Sequence, residues 1–308
     1  MLSIAPNLLS PVAQSPNVPA YAPPVAENFA QNIKQVNNID TPCITIAHKG
    51  KAYDPIAHGR GRKLESIKTS FANNIKSLRK YNISINTEYY NKVGPSGRNE
   101  TQKALDEGFI SFVSGDWVNK KDNNVLLFTL PKDIGDYRVE LAHRNQLGMS
   151  TDSSYDFEMR VGYSAHSAIF FQVKEVGGDM ISKGGGRPPI SLHVKDQKEI
   201  FIAINSDKGN VLRKKIAVLD CPQEWYKFKV RIVWDRAYPR IQVGINGTSV
   251  FQSNVGFGAH NSKGHYSKFG IYIPQQKTVA GTGPTSFLFD NVRESHRQFS
   301  APAKGHKN

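Results

Sequence analysis

Cysteine is almost missing from this chain of 308 residues: Cys43 and Cys221 are the only two. They stand far apart in no metal-ligand or redox spacing, which excludes a disulfide-framework fold and a cysteine-rich zinc module and leaves two inert thiols as the expectation. Long hydrophobic runs are missing too. No apolar stretch approaches the roughly 18 residues of a membrane span, so no membrane association is expected, and prolines break the first 20 residues before a signal-peptide apolar region can form. Acidic side chains are scarce, 26 against 40 Lys plus Arg, for a formal charge of +14. So basic a surface favours a polyanionic partner, whether acidic polysaccharide, nucleic acid or anionic lipid, and charge alone does not choose among them. There is no nucleophile elbow, metal-ligand cluster or nucleotide fingerprint; neither metal nor cofactor is expected. What is present, 39% hydrophobic and 21% charged residues, is the composition of a folded chain with a sizeable core.

Pro6, Pro11, Pro16, Pro19, Pro23 and Pro24 stand among Ser, Asn, Gln and Ala, so residues 1–30 read as a disordered tail. Its acid-poor composition resembles the secretion signals of bacterial needle-delivered effectors, which implies a secreted protein exported by a specialised system without a classical signal peptide. Residues 31–105 read as a helical and irregular extension. Within it Leu64, Ile67, Phe71, Ile75 and Leu78 recur at spacings of three and four, which predicts an amphipathic helix over Arg62–Tyr81. Lys63, Lys68, Lys76, Arg79 and Lys80 would form its solvated face.

Residues 106–297 have a different texture. Short β-rich runs separated by Gly, Asn, Asp and Pro fall at Phe109–Val113, Val125–Leu130, Tyr137–His143, Tyr155–Tyr163, Ala168–Val173, Ile190–Val194 and Glu199–Asn205. They continue at Lys214–Leu219, Trp225–Trp234, Arg240–Ile245, Thr248–Gln252, Lys268–Ile273 and Ser286–Val292. So many strands with no helix between them predict an all-β fold, an antiparallel sandwich or jelly roll. Asn246-Gly247 signals a two-residue hairpin turn. Residues 298–308 form a basic tail.

Three strands alternate polar and apolar residues, which sends the two kinds to opposite faces. Arg138 and Glu140 share one face, Gln172 and Lys174 another, and Tyr266, Lys268, Gly270 and Tyr272 a third. Together they suggest a binding groove, with Gly270 where a ligand can approach the backbone. Lys268 and Glu140 read equally as an exposed cross-strand ion pair. His260 and His265 stand in or next to the glycine-rich stretch 256–264, which can fold over a groove, and Gly184-Gly185-Gly186-Arg187 reads as a lid or a plain loop.

These stretches resemble the jelly-roll polysaccharide lyases, a family of alginate lyases and heparin- and glucuronan-lyase-like enzymes. Arg138-Val139-Glu140, Gln172-Val173-Lys174 and Lys268-Phe269-Gly270-Ile271-Tyr272 stand where that family has its Arg-x-Glu, Gln-x-His and Lys-x-Gly-x-Tyr strands, in the same order. The resemblance implies a concanavalin-like jelly roll that cleaves a uronate-containing polysaccharide by β-elimination. It implies catalytic roles for Tyr272, Lys174, Gln172 and Arg138, and substrate contacts from Lys268, Glu140, Arg144, His265 and Tyr266. A monomer with an acidic polysaccharide as its partner, and no nucleic acid, is expected. Two positions depart from the pattern. Ala142 follows where a second Arg is usual, with Arg144 two places on, and Lys174 replaces the usual His. Tyrosine ordinarily titrates near 10, so a tyrosine base needs cations beside it, and Lys268 and Arg138 are the natural suppliers. Lysine makes a poor base unless burial or neighbouring cations lower its pKa. The Lys174 replacement also leaves open a non-catalytic carbohydrate-binding module on the same scaffold.

Overall fold

Ile190, Leu192 and Val194 enter the hydrophobic core while Ser191 and His193, between them, do not. That alternation, repeated along the chain, turns the period-two stretches into paired strands. The computed structural model describes residues 62–69, 78, 81–86, 91–94, 104–114, 124–130, 138–143, 146–163, 167–179, 186–274 and 285–299. The expected tail at 1–30 lies outside the described residues, as do Arg144 and the part of the expected 298–308 tail beyond Phe299, while Gln298 is the last residue of a strand. No helix among the described residues is long and apolar enough to cross a membrane.

Two antiparallel sheets form a sandwich of the jelly-roll kind. In the first, Thr248–Ser253 (β15), Arg240–Ile245 (β14), Tyr226–Trp234 (β13), Thr151–Tyr163 (β8), Thr285–Gln298 (β17), Asn124–Leu130 (β5) and Ile110–Ser114 (β4) lie side by side, and Arg62–Thr69 (β1) also pairs with β17. In the second, the order is Gly209–Val218 (β12), Glu199–Ser206 (β11), Ile190–Lys195 (β10), Ala168–Val176 (β9), Gly264–Tyr272 (β16), Arg138–His143 (β6), Tyr81–Asn86 (β2) and Asn91–Gly94 (β3). The short Leu147–Gly148 (β7) pairs with β16. Aromatic rings join the sheets: Phe157 of β8, stacked on its neighbour Phe228 within the first sheet at 5.3 Å, meets Phe171 of β9 at 5.4 Å, while Phe128 of β5 meets Phe269 of β16 edge-on at 5.9 Å. Each such side chain withdrawn from water contributes roughly 1.5–3 kcal/mol, so this seam holds the layers face to face.

Phe170 and Phe171 are consecutive, yet both enter the core. A bulge in β9 permits it, visible as a register shift against both β16 and β10. It places Ile169 beside Tyr272 and leaves Gln172 and Lys174 on the outer face. The turn between β14 and β15 is the expected one, with Asn246 at φ 49° and Gly247 at φ 80°.

Three expectations are corrected. Arg62–Thr69, the first part of the expected helix, is strand β1. β5 covers β17 only over Thr285–Phe289, and the rest of that long edge, Val292–Gln298, takes β1 as its partner. Tertiary pairing thus overrides helical spacing, and Leu64 falls at a register irregularity. Most of the expected helix beyond Thr69 lies outside the described residues. Cys221 is disulfide-bonded rather than an inert thiol; the other cysteine of the sequence, Cys43, lies outside the described residues. Gly270, finally, is dictated by its own neighbours. At φ +135° a Cβ would collide with the Val139 carbonyl and lie 2.8 Å from Glu140 Cα, so the close approach is that of β6.

Candidate active site

Glu140 is the centre around which the outer face of the second sheet is organised. It sits on β6 opposite Gly270 of β16 and Ser84 of β2, and only 1% of it is exposed. Its Oε1 accepts a hydrogen bond from Gln172 Nε2. Its Oε2 accepts one from Lys268 Nζ at 3.3 Å and lies 3.4 Å from Arg138 Nε. Lys268 Nζ also donates to Ser84 Oγ at 3.4 Å. The Lys268–Glu140 pair is therefore buried, not the exposed ion pair considered from sequence. A lone ion is costly in such a place, and several donors on one carboxylate offset that cost.

The strand registers bring the other predicted residues alongside. Lys268 stands opposite Gln172, Tyr266 opposite Lys174, and Tyr272 opposite Arg138. The Arg138 guanidinium lies over the Tyr272 ring, 4.2 Å from its centre, which places a cation against the phenol. Gln172 is 1% exposed, and its Oε1 is buried with no hydrogen-bond partner among the described residues. Lys174 is half-buried, and its Nζ donates to the Gly186 carbonyl. Burial first, then the like charges of Lys268 and Arg138, push its pKa down to about 8 against the opposing pull of Glu140. Burial, helped by Arg138, pulls down the Lys268 amine, with Glu140 resisting. Burial and then Glu140 push the Tyr266 phenol upward. Three cations face one carboxylate in this cluster, which leaves net positive charge for an anionic ligand.

His265 does not join them. It lies on β16, one step out of phase with Tyr266 and Lys268, so it faces the interior. Its ring stacks on Trp234 at 4.1 Å, its Nε2 is 2.7 Å from Thr151 Oγ1, and it is fully buried. Burial holds it well below the ordinary imidazole range. His260 lies elsewhere, exposed, with Nδ1 2.8 Å from Asp207 Oδ2. With Asp179 these two bring potential metal-ligand atoms within 4.8 Å of one another. Glu175, next to Lys174, also turns inward. Its Oε1 accepts the Ala259 N–H at 2.9 Å, its Oε2 has no partner among the described residues, and burial together with Asp207 pushes its pKa up to about 7.

Sequence reasoning missed Ser84, and although it singled out the stretch that holds Gly186 it missed that residue's contact with Lys174. Ser84 had a signal, because Ile83 and Ile85 flank it in a period-two run; a backbone carbonyl such as that of Gly186 has none.

This geometry defines a jelly-roll sandwich with a cationic, hydrogen-bonded cluster on the outer face of one sheet. The polysaccharide lyase family model matches residues 96–293, more than half of the sequence, and the chain belongs to that family. The fold is similar to alginate lyase A1-II', a member of polysaccharide lyase family-7, with 15% identity, a TM-score of 0.53, and coverage of 72% of this chain and 96% of that one. Similarity extends to the endo-β-1,4-glucuronan lyase of the fungus Trichoderma reesei, at 18% identity and a TM-score of 0.49 over 62% of this chain and 87% of that one. Comparison with curated proteins finds no match.

Proposed function

We propose that this chain cleaves a uronate-containing acidic polysaccharide by β-elimination, with Lys174 as the base and Tyr272 as the acid. The observation that carries the reading is Lys174, whose amine is brought to about 8 by burial and by the neighbouring Lys268 and Arg138. A base works best when its pKa lies near the working pH. In this mechanism Lys174 Nζ takes the proton from C5 of the uronate, and the electron pair of that C–H bond becomes the C4=C5 double bond. The C4–O bond breaks, and the leaving oxygen takes the Tyr272 hydroxyl proton. Exchange with solvent then returns the proton from Lys174 to Tyr272. Arg138 and Lys268 stabilise negative charge on the uronate carboxylate, where fixed donors are most effective, and Gln172 Oε1 orients a hydroxyl. The disulfide at Cys221 supports a working location outside reducing compartments.

One observation favours a second reading, a carbohydrate-binding module without catalysis: the hydrogen bond from Lys174 Nζ to Gly186 engages the proposed base. Incubation with alginate, glucuronan and heparin, followed by the ultraviolet absorbance of the new double bond, separates the two. Tyr272→Phe is expected to keep polymer binding while turnover falls by roughly 10² to 10⁴-fold, the usual contribution of acid–base catalysis. Polymer retention without any absorbance change from the wild type favours the binder. Undiminished lysis by Tyr272→Phe removes Tyr272 from the mechanism.

A further inference from the structure

The row of residues that contains Tyr272 does not stop at the catalytic cluster. Tyr272 on β16 is in register with Ile169 of β9, Ile169 with His193 of β10, and His193 with Phe201 of β11. Phe201 is partly exposed and takes no part in the core, unlike Ile200, Ile202 and Ile204 beside it; it therefore shares the outer face with Tyr272. Arg213, on the edge strand β12, pairs with Ala203 two residues along β11 and lays its guanidinium over the Phe201 ring, 6.0 Å from the centre. Lys215 on the same strand is neutralised by Glu199 at 2.9 Å. Arg213 is exposed, and no carboxylate among the described residues lies within ion-pair distance of it.

We propose that Arg213, seated on Phe201 and flanked by His193, forms a second contact for the acidic polysaccharide, gripping the carboxylate of a sugar ring further along the chain than the one cleaved. The inference rests on the polyuronate reading of the outer face given above. Neighbouring strands lie about 4.8 Å apart, so the three steps from Tyr272 to Phe201 span about 14 Å across the sheet. That is longer than one sugar ring, and the two contacts fall on different units of one chain. Arginine suits the task because its planar fork takes a carboxylate through two parallel hydrogen bonds and can rest flat on an aromatic face. His193 contributes hydrogen bonding rather than charge. Its Nε2 is 2.9 Å from Ser191 Oγ, and burial, followed by the nearby Arg213, pushes its pKa down to about 4.

The contact has a signature that a generally basic surface lacks: it depends on chain length. Arg213→Ala and Phe201→Ala are expected to raise KM for a long polyuronate on the order of tenfold, about 1.4 kcal/mol, with kcat unchanged. KM for oligosaccharides too short to reach β11 is expected to stay as in the wild type. Lys227→Ala, an exposed cation on the other sheet, is the charge-matched control and leaves both values alone. Polymer retention by Tyr272→Phe and by Tyr272→Phe/Arg213→Ala is measured in parallel. Retention that Arg213→Ala weakens, without lysis by any form, upholds the contact and overturns the lyase reading. Lysis whose KM is indifferent to Arg213 and Phe201, or shifted equally for long and short substrates, overturns the contact alone. No retention and no lysis of any polyuronate overturns both.

Discussion

Replacing Lys174 by histidine tests the proposed base through the pH at which the enzyme switches on. In the folded chain the Lys174 amine is lowered from an ordinary 10.5 to about 8. At pH 7 that leaves about one-tenth of the molecules with a free amine, against about one in 3,000 for an ordinary lysine, a gain of about 300-fold in competent base. Because the free amine is the active form, kcat/KM of the wild type is expected to rise about tenfold per pH unit up to about 8 and to level off above it. An unperturbed imidazole titrates near 6.5, and burial with Lys268 and Arg138 nearby pushes it lower still. Lys174→His therefore moves the inflection down by more than a unit and brings the enzyme to its plateau by neutral pH. Lys174→Met keeps the stem but not the amine, and loses turnover by roughly 10² to 10⁴-fold. The assay is initial-rate double-bond absorbance on one polyuronate between about pH 5.5 and 9.5, at fixed ionic strength because screening alters polyanion binding. Uronate carboxylates stay ionised across that range, so an inflection near 8 belongs to the protein. A flat wild-type profile, or one that Lys174→His leaves in place, would refute the reasoning.

Two further substitutions probe the buried acids. Glu140→Ala strands Lys268, which is 7% exposed at its side chain; breaking a buried pair costs about 3–5 kcal/mol, so the melting midpoint is expected to fall by roughly 6 °C or more, and a midpoint within a degree of wild type would contradict the buried-network account. Glu175 is pushed up from 4.5 to about 7, so the folded state holds its proton more tightly than the unfolded state, and stability drops as pH rises between those values and stays lower above them. Glu175→Gln keeps an acceptor for the Ala259 N–H and removes that drop, worth about 3 kcal/mol in full at 1.36 kcal/mol per unit. Denaturant unfolding of both forms at pH 5 and pH 8 measures it, and equal losses in the two would show that Glu175 ionises normally.

The strands between residues 109 and 292 were legible because their alternation is local, and a half-buried strand needs nothing more to declare itself. Arg138, Glu140, Gln172, Lys174, Lys268 and Tyr272 followed from that rule and meet on one face. His265 failed by the same rule. The strand at β16 begins at Gly264 rather than Lys268, and once it does, phase alone turns His265 inward. β1 could not be read locally at all. Its apolar residues keep helical spacing, and what makes it a strand is the open length of β17, more than 200 residues further along the chain. The burial that lowers the Lys174 pKa was foreseeable only as a requirement, since it depends on Lys268 and Arg138 arriving from other strands.

The family match begins at residue 96, but the sheets do not. β2 covers the free side of β6, the strand that carries Arg138 and Glu140, and supplies Ser84 to Lys268; β1 closes the far half of β17. The heritable sequence module and the physical unit that encloses the site are therefore different lengths. A fusion or recombination joined at the module's border would strip both seals and open two rows of backbone N–H and C=O groups to other chains, the template from which edge-to-edge aggregation starts. Shuffling of this domain between proteins can succeed only when the earlier segment, from about Arg62, travels with it.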